Sequence, residues 1–381
     1  MILPGATLGV LGGGQLGRMF TLAAHSMGYK VWVLDPDPNS PTGRMADRHL
    51  QAAYDDTDSL EEMAAGCEAI TTEFENVPAE TLEFLESRVP VRPGSKAVAI
   101  ARDRIREKTF IQELGLATAP FFAINSVADL EPACAALTMP ALLKTAQLGY
   151  DGKGQIGIDN LEQAKLAFAD LNETPCILEE CVQLDLELSV VLVRSTDGHT
   201  AVYPVGENMH INGILDTTRV PARVADDIAD KACDMALQLA NAMDYCGVLA
   251  TEFFITDDGQ LLINEMAPRP HNSGHYTIDA CLTSQFEQQV RALCGMLPGS
   301  TQLLSPAVMV NVLGDLWDKG TPRWQYLFAE SHTSLHLYGK ENALPGRKMG
   351  HYTCLAEDAG QAMRTAERVR TSIDPAAPDE D

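Results

Sequence analysis

The chain has 381 residues, 45% hydrophobic and 21% charged, which is enough for two or three packed units and too apolar for disorder through most of its length. Its 28 Lys and Arg against 53 Asp and Glu give a formal charge of −25, which excludes the basic footprint of a general nucleic-acid binder and makes each cluster of cations informative. No apolar run reaches bilayer length, no basic leader precedes an apolar stretch, and nine cysteines stand without CxxC or zinc-like spacing, so the expectation is a cytoplasmic protein with no membrane partner.

Thr7–Leu11 predicts a strand that enters Gly12-Gly13-Gly14-Gln15-Leu16-Gly17 and then a helix through about Met27. Val31–Leu34 predicts a second strand ending at Asp35, a βαβ opening with a GxGxxG match and an acidic residue after strand two. Such glycines allow close backbone approach at a helix N-terminus, where N–H groups and the dipole favour an anion. Three readings stay open: the dinucleotide site of a nicotinamide-dependent oxidoreductase, the phosphate site of another ligand, or glycines that only let the helix pack on the sheet. Ala69–Phe74 predicts a further strand, followed by a helix after Pro78, so residues 1–102 read as a Rossmann-like α/β domain.

Asp103–Leu114 predicts a charged amphipathic helix stopped at Gly115. Ala141–Lys144 is a strand, and Lys144 to Gln155 forms a glycine-rich turn with a second lysine, Lys153, before the returning strand Ile156–Ile158. That pattern can fold over a triphosphate, with backbone N–H groups and Lys153 on the phosphates and Lys144 beside them, or it can be a plain hairpin. It is not a Walker loop, because GxxxxGK[ST] is absent. Ala164–Leu171 predicts a helix. Cys176–Glu180 predicts a strand whose polar end, Glu179-Glu180-Cys181-Val182, can read an adenine while Glu187 takes the ribose hydroxyls, or is no more than a strand with a polar end. Leu186–Arg194 and Ala201–Val205 follow as strands and Ile228–Met243 as a long helix.

Val248–Ile255 and Leu261–Ile263 predict antiparallel strands joined at Asp257-Asp258-Gly259. They carry Glu252 and Glu265, which can face the same side; two hard oxygen ligands on rigid strands suit Mg²⁺. The polar run Asn264-Glu265 and the turn Arg269-Pro270-His271-Asn272-Ser273 are hard to explain as packing and read as functional. Gln285–Cys294 is a helix, Ala307–Leu313 and Ser334–Tyr338 are strands, and Ala359–Ser372 is a final helix. Between them Gly346-Arg347-Lys348 forms an isolated basic turn suited to a phosphate, and the tail 374–381 is acidic, proline-rich and expected to be disordered.

In order, the Lys144–Gln155 loop, the Glu179–Val182 hinge, Glu252 and Asn264-Glu265 resemble the ATP-grasp ligases. Gly13-Gly14-Gln15-Leu16-Gly17-Arg18-Met19, Gly149-Tyr150-Asp151-Gly152-Lys153-Gly154-Gln155, Ala267 to His275 and Pro345 to His351 resemble, more narrowly, the N5-carboxyaminoimidazole ribonucleotide synthetase family within them. The resemblance runs from about Thr7 to Arg370. It implies an ATP-grasp fold with a Rossmann-like N-terminal domain (1–102), an ATP-grasp domain (103–299) with a mobile lid at about 118–182, and a small C-terminal β-rich domain (300–373) packing on the core.

It also implies a reaction: ATP, bicarbonate and 5-aminoimidazole ribonucleotide give the N5-carbamate, ADP and phosphate through carboxyphosphate, in purine biosynthesis. By the same resemblance Arg104, Lys144, Gly149, Tyr150, Asp151, Gly152, Lys153, Gly154, Gln155, Glu179, Glu180, Cys181, Val182, Glu187, His210, Asn264 and Glu265 contact ATP. Glu252 and Glu265 hold Mg²⁺, with two ions allowed. Gln15, Leu16, Glu73, Asn272, Ser273, Lys340, Arg347 and Lys348 hold the ribonucleotide. Lys144, Lys153 and Arg269 counter the developing charge, and Asp151 or His271 moves the amine proton. The family implies a homodimer and a downstream mutase that receives the product. The alternatives are a formate-dependent phosphoribosylglycinamide formyltransferase of the same fold, whose lid resembles Ser-Ser-Gly-Lys-Gly, and the oxidoreductase above.

Overall fold

The structure, a computed structural model, describes residues 1–149 and 154–377. Tyr150, Asp151, Gly152 and Lys153 of the expected phosphate loop, and Pro378 to Asp381 of the expected tail, lie outside the described residues.

The N-terminal run folds as alternating strands and helices: β1 (Thr7–Leu11), α1 (Gln15–Ser26), β2 (Lys30–Leu34), β3 (Arg48–Leu50), α2 (Thr57–Gly66), β4 (Ala69–Thr72), α3 (Ala79–Glu86) and α4 (Ser95–Ala101). The four strands are parallel in the order β3-β2-β1-β4. The order reverses at β1, which opens a crevice beyond the carboxyl ends of β1 and β4, the usual ligand position in such sheets. Gly12 and Glu73 stand at those two ends.

Asp103 caps α5 (Arg104–Glu113), its carboxylate accepting from the Ile105 and Arg106 N–H groups, and Gly115 ends that helical run at φ +73°. Next come β5 (Phe121–Ile124), α6 (Leu130–Ala136), β6 (Ala141–Thr145), β7 (Gln155–Ile158), α7 (Leu161–Asp170) and β8 (Cys176–Glu180). Their antiparallel sheet, ordered β5-β8-β6-β7, has its own core of Ile124, Leu130, Leu143, Ile158, Phe168 and Leu178 under the two helices.

The remaining strands form one long sheet. They are β9 (Leu184–Arg194), β10 (Thr200–Val202), β11 (Gly206–Ile211) and β12 (Ile214–Val220); then, after α8 (Asp226–Ala242), β13 (Gly247–Thr256) and β14 (Leu261–Ala267). The chain continues through α9 (Thr277–Ala280) and α10 (Gln285–Leu293) to β15 (Ala307–Leu313), α11 (Trp324–Phe328), β16 (Thr333–Leu337), β17 (Lys348–Leu355) and α12 (Ala359–Ile373). The strand order is β14-β13-β9-β11-β12-β15-β17-β16, with β10 on β9. The C-terminal β-rich unit therefore continues the central sheet through the β12–β15 pairing instead of standing apart from it. Helix α8 covers one face of β9 and β13 over Leu188, Leu249 and Phe253, while α10 covers the other. The N-terminal unit docks through α1, whose Leu16, Met19 and Phe20 pack on Phe286, Val290 and Leu293 of α10.

Phe253 is fully buried in the largest of these cores. Phe253→Ala is expected to cost about 3–5 kcal/mol, read as a lower denaturation midpoint. Leu166→Ala, at a side chain 68% exposed on α7, is expected to stay within about 0.5 kcal/mol.

Candidate active site

The crevice of the N-terminal sheet, the four-stranded unit and the long sheet enclose one cavity of about 690 Å³. It is lined by Gln15, Leu16 and Glu73 from the N-terminal unit, by Arg104 and Glu107 of α5, by Lys144, Gly149 and Gln155, and by Glu187, His210, Glu252, Asn264, Glu265, Arg269, His271, Asn272 and Lys348 from the long sheet and its turns. Most of the expected site residues thus meet at one place.

Glu252 and Glu265 face each other across the β13–β14 pair. The next pair is Phe253 with Ile263, so Asn264 is an extra residue bulged out of register. Successive strand residues normally point to opposite faces; the bulge lets both Asn264 and Glu265 line the cavity. At a second irregularity, between the Met209 and His210 pairs, the extra residue is Asp216 on β12; His210 lines the cavity, and its Nδ1 lies 2.7 Å from the Glu187 carboxylate. A third carboxylate, missed in the sequence, joins the pair. Glu107 is buried in α5, accepts the Met266 N–H at 2.6 Å and is held well above the usual carboxylate range by burial and by the charge of Glu265. Burial, with Glu265 second, also raises Glu252 to about 7, while His210 and Lys348 pull it down. The wall is a set of oxygen donors that repel one another, which fits a hard divalent cation.

The cations sit in separate ion pairs. The carboxylate of Glu179 bridges Lys144 Nζ, at 2.6 Å, and the buried Lys108. Burial raises the pKa of Glu179, and the two lysines more than offset this, holding it below its usual value. Arg104 donates to the carbonyls of Thr145 and Gly149 at 3.0 and 3.1 Å, bracing both sides of the Lys144 loop. Arg269 pairs with Glu75 across the cleft at 2.7 Å.

The Glu179–Val182 segment does not line the cavity, nor does Gly154. Glu179 turns to the lysines, the Glu180 carboxylate accepts the Thr138 N–H at 2.9 Å, and the Glu180 and Cys181 N–H groups go to the carbonyls of Pro120 and Pro140.

The glycine loop carries its own anions. Gly13 N–H donates to Asp35 at 2.6 Å, Gly17 N–H to Glu73 at 2.7 Å, and Gly14 N–H to the same Glu73. A Cβ on Gly14 would stand 2.6 Å from a Glu73 oxygen, so the glycine makes room for a carboxylate of this chain. The N–H groups that a dinucleotide pyrophosphate would need are taken, and the oxidoreductase reading is overturned.

His271 lies with Nε2 3.5 Å from Glu252 and Nδ1 2.9 Å from the hydroxyl of Ser273. Burial, then Arg269 and Lys348, push it well below the usual imidazole range, so it is neutral at physiological pH. Ser273 is buried off the cavity and orients that ring. Asn272 exchanges two amide hydrogen bonds with Asn311 of β15, at 2.7 and 3.0 Å. Lys340 and Arg347 flank Lys348 without lining the cavity: Lys340 donates to the Lys348 carbonyl at 2.7 Å and Arg347 to that of Asn342 at 3.0 Å.

Known proteins match this arrangement. Three family models cover the chain in turn: the ribonucleotide synthetase preATP-grasp domain over residues 5–102, the ATP-grasp domain over 109–286, and the phosphoribosylaminoimidazole carboxylase C-terminal domain over 307–365. The N5-carboxyaminoimidazole ribonucleotide synthase of Bacillus subtilis is 45% identical over 94% of this chain and 93% of its own length. That of Brucella melitensis is 45% identical over 92% and 96%. Among solved structures, an ADP complex of an N5-carboxyaminoimidazole ribonucleotide synthetase superposes with a TM-score of 0.92 at 43% identity, over 97% of each chain. The Aspergillus clavatus N5-carboxyaminoimidazole synthase in complex with ADP and 5-aminoimidazole ribonucleotide superposes at 0.88 and 30%, over 97% and 98%.

The raised pKa of Glu252 has a pH signature. A carboxylate raised from 4.5 to about 7 binds more protons folded than unfolded, so its contribution to stability is complete below 4.5 and is lost as pH rises through 7. The thermal midpoint of metal-free protein is expected to fall across that window, and Glu252→Gln is expected to flatten the fall. Added Mg²⁺ should restore stability most at the alkaline end, where the ion need not displace a proton.

Proposed function

The chain belongs to the N5-carboxyaminoimidazole ribonucleotide synthase family of ATP-grasp proteins, and from that premise we infer that it is a ligase that uses ATP to carboxylate 5-aminoimidazole ribonucleotide with bicarbonate, giving N5-carboxyaminoimidazole ribonucleotide, ADP and phosphate. The observation that carries this reading is the convergence in one cavity of the carboxylate wall, of Lys144 with Gly149 and Gln155, and of Lys348.

Nucleotide phosphates lie against Lys144 and the 149–155 loop, with Arg104 holding the base of that loop. Glu187 and His210 take the ribose. The hinge stands off the cavity with its Glu180 and Cys181 N–H groups engaged, so it would reach adenine, through its carbonyls and Val182, only once the 118–182 unit closes. Glu252, Glu265 and Asn264 would hold Mg²⁺, one ion or two, which supplies charge neutralisation for phosphoryl transfer. The ribonucleotide lies between Gln15, Leu16 and Glu73 on one side and Asn272 and Lys348 on the other, with Lys340 and Arg347 adding positive charge near its phosphate.

A bicarbonate oxygen attacks the γ-phosphorus in line, the bond to ADP breaks, and carboxyphosphate forms. Arg269, held by Glu75, and Lys144 counter the charge that builds on the transferring group. The exocyclic amine then attacks the carboxyl carbon, phosphate leaves, and neutral His271 accepts the proton the nitrogen loses. Carboxyphosphate is short-lived in water, so closure of the 118–182 unit over the cavity protects it.

No helix among the described residues is long and apolar enough to cross a membrane. By family likeness it works as a homodimer and hands its product to a mutase; Leu22 and Leu337, both exposed, offer apolar surface on the units concerned.

ADP release with each reagent omitted tests the assignment. Turnover is expected only with both the ribonucleotide and bicarbonate, and formate is not expected to replace bicarbonate. Lys348→Ala is expected to raise KM for the ribonucleotide more than it lowers kcat, and His271→Asn to lower kcat by about 10²–10⁴-fold. ADP release indifferent to the ribonucleotide would defeat the assignment.

A further inference from the structure

Away from the cavity, a second cluster joins α9 to the C-terminal strands. His336 of β16 and His351 of β17 are cross-strand partners on one face, their rings stacked at 4.6 Å and 19°. Asp279 of α9 meets His336 Nε2 with both carboxylate oxygens, at 2.9 and 3.1 Å. One donor atom from each of the three residues lies within 4.8 Å of the others. Asp279 and His336 are partly exposed, which gives a small ion an approach, whereas His351 is fully buried.

His351 is the informative member. Its Nδ1 lies 2.9 Å from the Tyr338 hydroxyl, but its Nε2 is buried with no hydrogen-bond partner among the described residues. A buried ring nitrogen left unpaired costs stability unless something reaches it. With Nδ1–H donating to the Tyr338 oxygen, Nε2 presents a bare lone pair, and a hydrogen bond from the far ring nitrogen is the support that ligating histidines commonly have. Burial, with His275 and His336 as neighbours, keeps this imidazole neutral, the form that binds metals.

We propose that Asp279, His336 and His351 form a binding site for one divalent transition ion, with zinc the best match. Two imidazoles and a carboxylate suit zinc, cobalt or nickel better than magnesium, which favours oxygen-only sets. Bonds of about 2.0–2.2 Å require the three groups to close by roughly an ångström, which the partly exposed His336 and Asp279 can do. Water completes the shell. The bound ion ties α9 to β16 and β17, just beside the turn that carries Lys340 and Lys348. The site shares no residue with the Glu252–Glu265 wall, so it stands or falls apart from the reaction proposed above.

The probe is Co²⁺, titrated into the chelator-treated full chain with excess Mg²⁺ present, followed by competition with Zn²⁺. One Co²⁺ per chain is expected, with visible d–d bands, no thiolate charge-transfer band, and displacement by Zn²⁺. His336→Ala and Asp279→Asn, at partly exposed positions, are each expected to weaken binding by about tenfold or more while keeping the wild-type circular dichroism. Glu252→Gln is expected to leave Co²⁺ uptake unchanged. Absence of stoichiometric uptake, a thiolate band, or equal uptake by His336→Ala and Asp279→Asn would each overturn the proposal and leave the cluster as an ion pair that braces the C-terminal strands.

Discussion

Like charges cannot share a buried wall without a counter-charge, and this constraint organises the cleft. Glu107, Glu252 and Glu265 converge there in a chain with a formal charge of −25. Burial and mutual repulsion raise Glu107 and Glu252, which marks the wall as a place that prefers either a proton or a cation. Lys348 and His210 offset part of that charge at Glu252. Other cations of the cleft are held in ion pairs, Lys108 and Lys144 with Glu179 and Arg269 with Glu75. On the proposed function, a ligand that carries both a divalent cation and phosphates would complete the arrangement: the cation would meet the wall while the phosphates draw on the paired lysines and arginine. Pre-formed pairs also hold those cations in position, so little reorganisation is left for the moment of reaction.

Small departures from regular strand geometry turn a sheet into a site. A regular β14 would send Asn264 and Glu265 to opposite faces; the bulge opposite Glu252 and Phe253 brings both to the cavity. His210 reaches the same cavity from β11, its ring against Glu187, where the pairing with β12 skips Asp216. Because β11 and β12 pair with β9 on one side and β15 on the other, the strand that carries His210 is also a link in the chain of strands joining Glu252 to Lys348. The two ends of the proposed substrate pair are therefore fixed in one hydrogen-bonded sheet.

Long periodic runs were legible. Thr7–Leu11, Cys176–Glu180 and Ala307–Leu313 form strands with the expected ends, and the charged helix after Asp103 stops at Gly115. Runs with weak patterning were not. The hairpin of β11 and β12 escaped notice although Asn212-Gly213, with φ +52° and +77°, is the residue pair such tight turns favour; its strand residues, from Glu207 to Arg219, are too polar to stand out. Of the residues that line the cavity, Glu252, Glu265, His271 and Lys348 were announced by local context. Glu107 and Lys108 were not, because on the sequence they are two more charges on a charged helix. Only tertiary packing shows that they are buried and that their partners, Met266 and Glu179, lie far along the chain. Glu179 was noticed for its place at a strand end, yet its carboxylate turns to the lysines.

The glycine loop shows why a motif must be checked by counting donors. GxGxxG delivers N–H groups to a helix end, and sequence alone does not say what accepts them. Here Asp35 and Glu73 accept from Gly13, Gly14 and Gly17, so an end that attracts phosphate in a dinucleotide enzyme is already neutralised from within. Glu73 still lines the cavity, and burial raises its pKa even with those N–H bonds in place. A ligand phosphate gains nothing there and would meet carboxylate charge; a donor-bearing group such as an amine or a ribose hydroxyl fits better. Lys348 stands at the other side, with Lys340 and Arg347 close by. On the proposed function, the ribonucleotide would thereby be oriented by charge: phosphate toward the basic turn, donor groups toward the N-terminal crevice.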